Sequence, residues 1–280
     1  GRMNRIQKEF LAIKKCAGIY LRYRTNPEDY ANSWILEKKG RNYTTWYNKY
    51  RTRLVPFRDK FAGKDCFIIG NGPSLNKMNL EALNEYYTFG LNKIFLIFKR
   101  VSLDLDFLVS VNPLVIQQSI GEFNKLKIPK FISYVGAKDV GNFDDNTFFI
   151  YTKGGLESSG DLTKPINEGY TVTNVALQVA HYLGFKNVFL VGVDHSFKQQ
   201  GNPNEKQTMH GEDVNHFDPN YFKGHQWQLA DLEGSELAYR NTKFFYTRTG
   251  RKIYDATVEG KLEVFDKISF DEALLIAKKK

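Results

Sequence analysis

From residue 64 onward, short apolar runs alternate with stretches in which apolar residues recur every three or four positions. Short apolar runs between turn signals are typical of buried parallel strands, and the three-to-four spacing is typical of helices that cover a sheet. The pattern predicts strands over 66–69, 88–92, 107–112, 130–134, 148–151, 187–194 and 252–255. It predicts helices over 79–85, 114–126, 173–183 and 227–245. This alternation indicates an α/β protein with a Rossmann-like, mainly parallel sheet and helices on both faces.

The first 62 residues carry a different pattern. Apolar residues stand at mostly helical spacing among lysines and arginines over 4–24 and again over 28–62. Such spacing predicts amphipathic helices. The expected organisation is a basic helical N-terminal extension over 1–62, followed by a Rossmann-like domain over 63–280.

The composition allows a packed core and leaves several partners open. The chain is 42% hydrophobic, and no run approaches the roughly 20 apolar residues that a membrane helix needs. Cys16 and Cys66 form no metal-binding or disulfide pattern, which favours a cytoplasmic location. The net charge of +9 suits an anionic small molecule, an anionic membrane surface or a plain basic surface. Without zinc-finger spacing or an RNA-recognition motif, no nucleic-acid partner is expected.

A glycine-rich turn follows the first predicted strand. Gly70 and Gly72 allow a sharp turn and the close approach of a ligand. Pro73 and Ser74 suit the start of a helix, where backbone amides favour an anion such as a phosphate. The turn matches neither the lysine-bearing P-loop nor the G-x-G-x-x-G pattern, and a turn without a ligand would use the same residues.

Several predicted strands end in a polar side chain, namely Asn71, Asn92, Asn112 and Asp194. Ligands of parallel α/β sheets bind beyond the carboxyl ends of the strands. Asparagines can donate and accept hydrogen bonds without adding charge against a phosphate. The four residues together predict a polar crevice for a ligand rich in hydroxyl and amide groups.

Four of the five histidines lie in one long polar loop, at positions 195, 210, 216 and 225. The fifth, His181, falls within a predicted helix and is expected to be structural. The loop also carries acids, so three interpretations are open: a metal site, a general base, or a solvated loop. The absence of an H-E-x-x-H or H-x-H pattern disfavours the metal site.

The order of these motifs resembles the bacterial CMP-sialic acid sialyltransferases of Campylobacter type. The resemblance rests on the turn at 69–75, on Asn92 and Asn112-Pro113, on the strand at 188–194, and on the segment 221–225. The segments 192–197 and 215–221 are more similar to a broader family. That family includes the motility-associated glycosyltransferases and the MptE-like 6-hydroxymethylpterin pyrophosphokinases.

The resemblance implies an inverting, metal-independent glycosyltransferase whose domain 63–280 binds a nucleotide sugar. His225 would be the catalytic base, with His216 as the alternative, and Tyr221 could supply a hydroxyl to the departing phosphate. Ser196 stands where the sialyltransferases have a tyrosine. The donor site would comprise residues of the turn, the strand tips and one helix start: Gly70, Asn71, Gly72, Ser74, Asn92, Asn112, Thr173, Asn174, Asp194 and Ser196.

The predicted function is the transfer of an acidic sugar from a CMP-activated donor to a glycan acceptor, with no cofactor besides the donor substrate. The expected protein is a cytoplasmic homo-oligomer, with peripheral contact to the inner membrane as an open alternative. A second reading is a pterin pyrophosphokinase that uses ATP and Mg²⁺ through Asp194, Asp213 and Asp218. A third is a non-enzymatic nucleotide- or glycan-binding module.

Overall fold

The computed structural model describes residues 6–10, 13–14, 40–198 and 201–280. Its centre is an eight-stranded sheet with the order β12-β11-β8-β1-β2-β3-β4-β5, and every neighbouring pair is parallel. The strands are β1 (Asp65–Ile69), β2 (Tyr87–Leu91), β3 (Phe107–Ser110), β4 (Lys130–Ser133), β5 (Thr147–Ile150), β8 (Asn187–Val191), β11 (Lys252–Asp255) and β12 (Asp266–Lys267). The predicted fold class is confirmed.

Two small sheets stand apart from the central one. They pair β6 (Thr152–Lys153) with β7 (Ile166–Asn167), and β9 (Lys206–Thr208) with β10 (Gln226–Gln228). The α-helices are α1 (Arg41–Lys49), α2 (Pro113–Phe123), α3 (Tyr134–Ala137), α4 (Val172–Tyr182), α5 (Leu232–Arg248) and α6 (Phe270–Ile276). The 3₁₀ helices are Arg51–Phe57, Pro73–Lys77, Leu80–Glu85 and Ile94–Lys99. None of the described helices combines the length and apolarity needed to cross a membrane.

The central sheet is buried on both faces, and β1 shows why its sequence is continuously apolar. Cys66 and Ile68 point into a core shared with α1, α4 and α5, whereas Phe67 and Ile69 point into a second core that includes α2 and α6. Side chains alternate across a strand, so a strand covered on both sides must be apolar at every position.

Several predicted boundaries differ from the structure. The predicted helix over 79–85 is a 3₁₀ helix, Leu80–Glu85. The helix predicted from 227 begins at Leu232, because Asp231 caps it and residues 226–228 form the strand β10. The strand β12 and the helix α6 were not predicted, although Ser269 forms a capping box that marks the start of α6.

The segment 41–62 packs into the same core as one face of the sheet. Trp46 is fully buried, and its indole N–H donates to the carbonyl of Phe149 on β5, 2.8 Å away. Leu54 and Phe57 are also buried in this core. Apart from 6–10 and 13–14, which are helical, the predicted helix over 4–24 lies outside the described residues.

Replacement of Trp46 with alanine should lower the free energy of unfolding by ~3–5 kcal/mol, the usual cost of deleting a buried aromatic side chain. Urea denaturation followed by circular dichroism measures this loss. Tyr47→Ala on the same helix is the matched control, because Tyr47 is 41% exposed. A loss from Trp46→Ala no larger than that from Tyr47→Ala would show that α1 is not part of the domain core.

Candidate functional site

A crevice lies beyond the carboxyl ends of β1, β2 and β8. From β1 the chain proceeds outward through β2 to β5, and it then returns to place β8 and β11 on the other side of β1. This reversal of strand order creates a gap between the connections that leave β1 and β8. Two adjacent compartments occupy this region, with volumes of about 150 Å³ and about 400 Å³.

The glycine turn forms the floor of the smaller compartment. The amides of Gly70 and Gly72 donate to the carbonyls of Val191 and Gly192, each at 2.8 Å, so the turn is bound to the end of β8. A Cβ atom at Gly70 would meet the backbone of Gly192, and one at Gly72 would meet the carboxylate of Asp194. Glycine is therefore required at both positions by the close approach of the two strand ends.

An anion was expected at the start of the 3₁₀ helix Pro73–Lys77, and the structure places a carboxylate of the protein itself there, that of Asp194. The carboxylate of Asp194 accepts hydrogen bonds from the amide of Ser74, at 3.0 Å, and from its hydroxyl. Burial raises the pKa of Asp194, although both hydrogen bonds from Ser74 act in the opposite direction. Ser74 is buried and does not line either compartment, so a ligand in the crevice does not face it.

The predicted asparagines lie at the crevice, and each has a distinct role. Asn71 donates to the carbonyl of Leu91, and its Oδ1 atom is buried without a partner. Asn92 adopts a left-handed backbone with φ of 49° and lines both compartments. Asn112 caps α2 through its Oδ1 atom and lines the larger compartment.

The remaining predicted donor-site residues divide into two groups. Thr173 and Ser196 line the smaller compartment, together with Asp194. Asn174 is fully buried beneath the site, where its Oδ1 accepts a hydrogen bond from the hydroxyl of Thr242. Asn174 lines neither compartment, so it supports the start of α4 from below.

His216 is part of the wall that the two compartments share. Its Nδ1 atom lies 2.8 Å from Oδ2 of Asp213, a fully buried carboxylate. In this arrangement Nδ1–H donates to the carboxylate, and Nε2 is left to accept a proton. The ring of Tyr221 stacks on the imidazole with centroids 4.0 Å apart and planes 6° apart. Carboxylate and ring together hold His216 in one orientation.

His225, by contrast, is exposed and lines neither compartment. Its carbonyl accepts a hydrogen bond from the amide of Met209, so His225 lies at the end of the β9–β10 pair from which the connecting loop leaves. His210 is likewise exposed. The structure thus brings His216 and Tyr221 to the crevice with the asparagines, and it does not bring His225 there.

A second loop histidine, His195, lines the smaller compartment and pairs with a carboxylate that the sequence did not single out, Glu236. The Nε2 atom of His195 lies 3.1 Å from Oε1 of Glu236 on α5, and this hydrogen bond lowers the pKa of Glu236. His195 has a left-handed backbone with φ of 54°. The position of His195 beside Asp194 was the available signal, whereas nothing in the local sequence links it to Glu236.

Three further residues that line the compartments were not predicted from the sequence. Tyr170, with φ of 64° and 50% exposed, lines both compartments. Glu168 lines the larger one, and burial raises its pKa although the hydroxyl of Thr152 donates to it at 2.6 Å. Tyr239 from α5 closes the smaller one. Within the described parts of the chain, no three histidines, cysteines or acids are grouped to hold a metal ion.

His181 has the structural role that was expected. It is buried in α4, its Nε2 atom lies 2.9 Å from the hydroxyl of Thr249, and burial lowers its pKa to about 3. The imidazole is therefore neutral near pH 7 and packs against Phe245 and Tyr246.

Fold and site together define a Rossmann-like α/β protein with a histidine-bearing crevice at the reversal of strand order. The family model described as 6-hydroxymethylpterin diphosphokinase MptE-like matches residues 41–200. The chain belongs to this MptE-like family, and the expected membership of the broader family is confirmed. The match begins at the start of α1, in agreement with the packing of that helix into the core.

Among solved structures, the chain is similar to the sialyltransferase CstII from Campylobacter jejuni, in complex with the substrate analogue cytidine-5′-monophosphate. The two share 14% identity, the similarity covers 74% of this chain and 86% of that one, and the TM-score is 0.44. No curated protein matches the sequence.

Proposed function

We propose that the protein is a glycosyltransferase that moves an acidic sugar from a CMP-activated donor to a hydroxyl of a glycan acceptor, with His216 as the base. The observation that carries this proposal is the His216–Asp213 pair on the wall shared by the two compartments. The imidazole borders both compartments, so it is placed to act on a hydroxyl bound in either of them.

The chemistry requires few groups from the protein. The acceptor oxygen forms a bond to the anomeric carbon, the bond from that carbon to the phosphate oxygen breaks, and Nε2 of His216 takes the acceptor proton. Asp213 stabilises the imidazolium that results, as a carboxylate does in other histidine-based sites. CMP is already a good leaving group, so fixed geometry and hydrogen-bond donors supply the rest.

The charge of the crevice favours a sugar nucleotide over a triphosphate. None of the described residues that line the two compartments is a lysine or an arginine. A nucleoside triphosphate carries about four negative charges near neutral pH and is normally held by cationic groups and Mg²⁺. A CMP-activated acidic sugar carries two negative charges, one on the phosphodiester and one on the sugar carboxylate, and asparagine amides and hydroxyls can accommodate these through hydrogen bonds.

A second candidate function is that of a pterin diphosphokinase, and the description of the matching family supports it. In that reaction a hydroxymethyl oxygen attacks a phosphorus atom of ATP. His216 would act on the attacking hydroxyl in the same way, so the two candidates differ in the donor.

Thermal unfolding in the presence of nucleotides separates the two candidates, because a ligand that binds only the native state raises the melting temperature. We expect CMP to stabilise the protein in EDTA by ~2.7 kcal/mol at a concentration one hundred times its Kd. His210→Ala, which changes an exposed histidine outside the compartments, should show the same shift. Stabilisation by ATP with Mg²⁺ and none by CMP would select the diphosphokinase.

A further inference from the structure

A buried lysine, Lys93, contacts the ring of Tyr221, which stacks on the imidazole of His216. Lys93 follows Asn92 at the end of β2 and is 5% exposed. Its backbone amide donates to the hydroxyl of Tyr221 at 3.1 Å. The residue that follows Asn92 is therefore in contact with the loop that carries the histidine.

The ammonium group of Lys93 binds the loop at a second point. Its Nζ atom donates to the backbone carbonyl of Tyr221 at 3.0 Å and to Oε1 of Gln118 on α2 at 2.7 Å. It also lies 4.5 Å from the centroid of the Phe222 ring. Cation–π contacts and hydrogen bonds to charged donors are stronger when they are shielded from water, so this attachment is a firm one.

Burial lowers the pKa of Lys93 to about 8, and the negative charge of Asp213 partly opposes that shift. At pH 7 the ammonium group of Lys93 is therefore protonated in most molecules and keeps all of its N–H donors. Placing a charge in such a site costs free energy, and the hydrogen bonds to Tyr221 and Gln118 offset part of that cost.

The loop makes other contacts with the crevice floor, but those lie nearer the glycine turn. The amide of Phe217 donates to the carbonyl of Asn71 at 2.9 Å, and Asn76 donates to the carbonyl of Phe217 at 3.1 Å. These two hydrogen bonds hold Phe217, the residue that follows His216. Lys93 instead holds Tyr221, whose ring lies flat on the imidazole.

We propose that Lys93 is a positioning residue for His216. Its ammonium holds the carbonyl of Tyr221, which keeps the tyrosine ring against the imidazole and so keeps the Nδ1–Asp213 hydrogen bond closed. Lys93 lines neither compartment and does not touch a substrate there. This inference rests on the proposed function only in giving His216 the role of the base.

The test compares Lys93→Met with the wild-type protein in two measurements. The first is the exchange of the Nδ1 proton of His216 with water, read by NMR of the free protein, and we expect it to become ~10-fold faster. The second is the turnover of CMP-sialic acid, and we expect kcat to fall by ~10–100-fold while KM changes by less than threefold, the pattern of a misplaced catalytic group.

Lys130→Met is the matched control. Lys130 is also a buried lysine with a lowered pKa, and its Nζ donates to the carbonyls of Leu126 and Ile128 and to the carboxylate of Asp144 at the opposite end of the sheet. We expect a loss of stability similar to that of Lys93→Met, with His216 exchange and kcat unchanged. The comparison distinguishes a variant that only destabilises the fold from one in which the imidazole of His216 loses its fixed orientation.

Gln118→Leu is the second variant, in case Lys93→Met does not fold. It removes one acceptor of the Lys93 ammonium and leaves the lysine in place. Faster exchange at His216 in either variant supports the proposal. Unchanged exchange in the folded variants overturns it. If the wild-type protein neither binds CMP nor turns over the donor, the proposed function fails, and the exchange measurement still decides the role of Lys93.

Discussion

Replacement of His216 with alanine should reduce kcat for sugar transfer by ~10²–10⁴, the usual scale for loss of a general base. The physical reason is the pairing of Nδ1 with the buried carboxylate of Asp213, 2.8 Å away, which leaves Nε2 as the proton acceptor. KM for the donor should change little, because the imidazole acts on the acceptor hydroxyl in the transition state. Steady-state release of CMP from CMP-sialic acid, with and without acceptor, measures both constants.

Two further histidine variants make this result specific. His210→Ala changes an exposed histidine of the same loop and should retain full activity. His225→Ala tests the base that the family resemblance implies, and its exposed position outside the compartments leads us to expect a loss of less than tenfold. A larger loss from His225→Ala than from His216→Ala would reject His216 as the base.

Replacement of Gly70 with alanine should lower the free energy of unfolding by ~1–3 kcal/mol and abolish the thermal shift with CMP. An added Cβ would lie 2.9 Å from the carbonyl carbon of Gly192 and closer still to its oxygen. Both neighbours are backbone atoms at the tips of adjacent strands, so they cannot rotate away as a side chain would. The ends of β1 and β8 must separate, and the floor of the smaller compartment moves with them.

Gly121→Ala provides the control for this change. Gly121 lies within α2, and a Cβ there would meet nothing within 4 Å. Because alanine favours helix more than glycine does, we expect this variant to be neutral or more stable by ~0.5–1 kcal/mol. Equal melting temperatures for the two alanine variants, or an unchanged CMP shift in Gly70→Ala, would contradict the role assigned to the turn.

The sequence predicted the central strands well because their signal is local. A strand buried on both faces is a continuous apolar run, and its ends are marked by glycine and asparagine at turns; the run 66–69 and the turn after it are examples. The predicted helix over 227–245 began too early because residues 226–228 pair with β9, about twenty positions back along the chain. Apolar spacing cannot distinguish such a pairing from a first helical turn.

The candidate site was predicted in part for the same reason. Asn71, Asn92 and Asn112 follow strands of one parallel sheet, so their meeting at one edge follows from the fold class. The choice among the loop histidines did not follow from any local rule. His216 and His225 are nine positions apart. The contacts of the loop with Asn71 and Lys93, and the pairing of His216 with Asp213 inside the loop, place His216 at the crevice, whereas His225 lies exposed beside β10.

Local patterning was thus sufficient to specify the parallel α/β fold, the glycine turn and the polar strand tips, since each depends on the residue types within a few positions. Folding was needed to pair Asp194 with Ser74, His195 with Glu236 and Lys93 with Tyr221, across separations of 120, 41 and 128 residues. Those pairs form because burial leaves each polar group without water, so it must find a partner among whatever residues the chain path brings beside it.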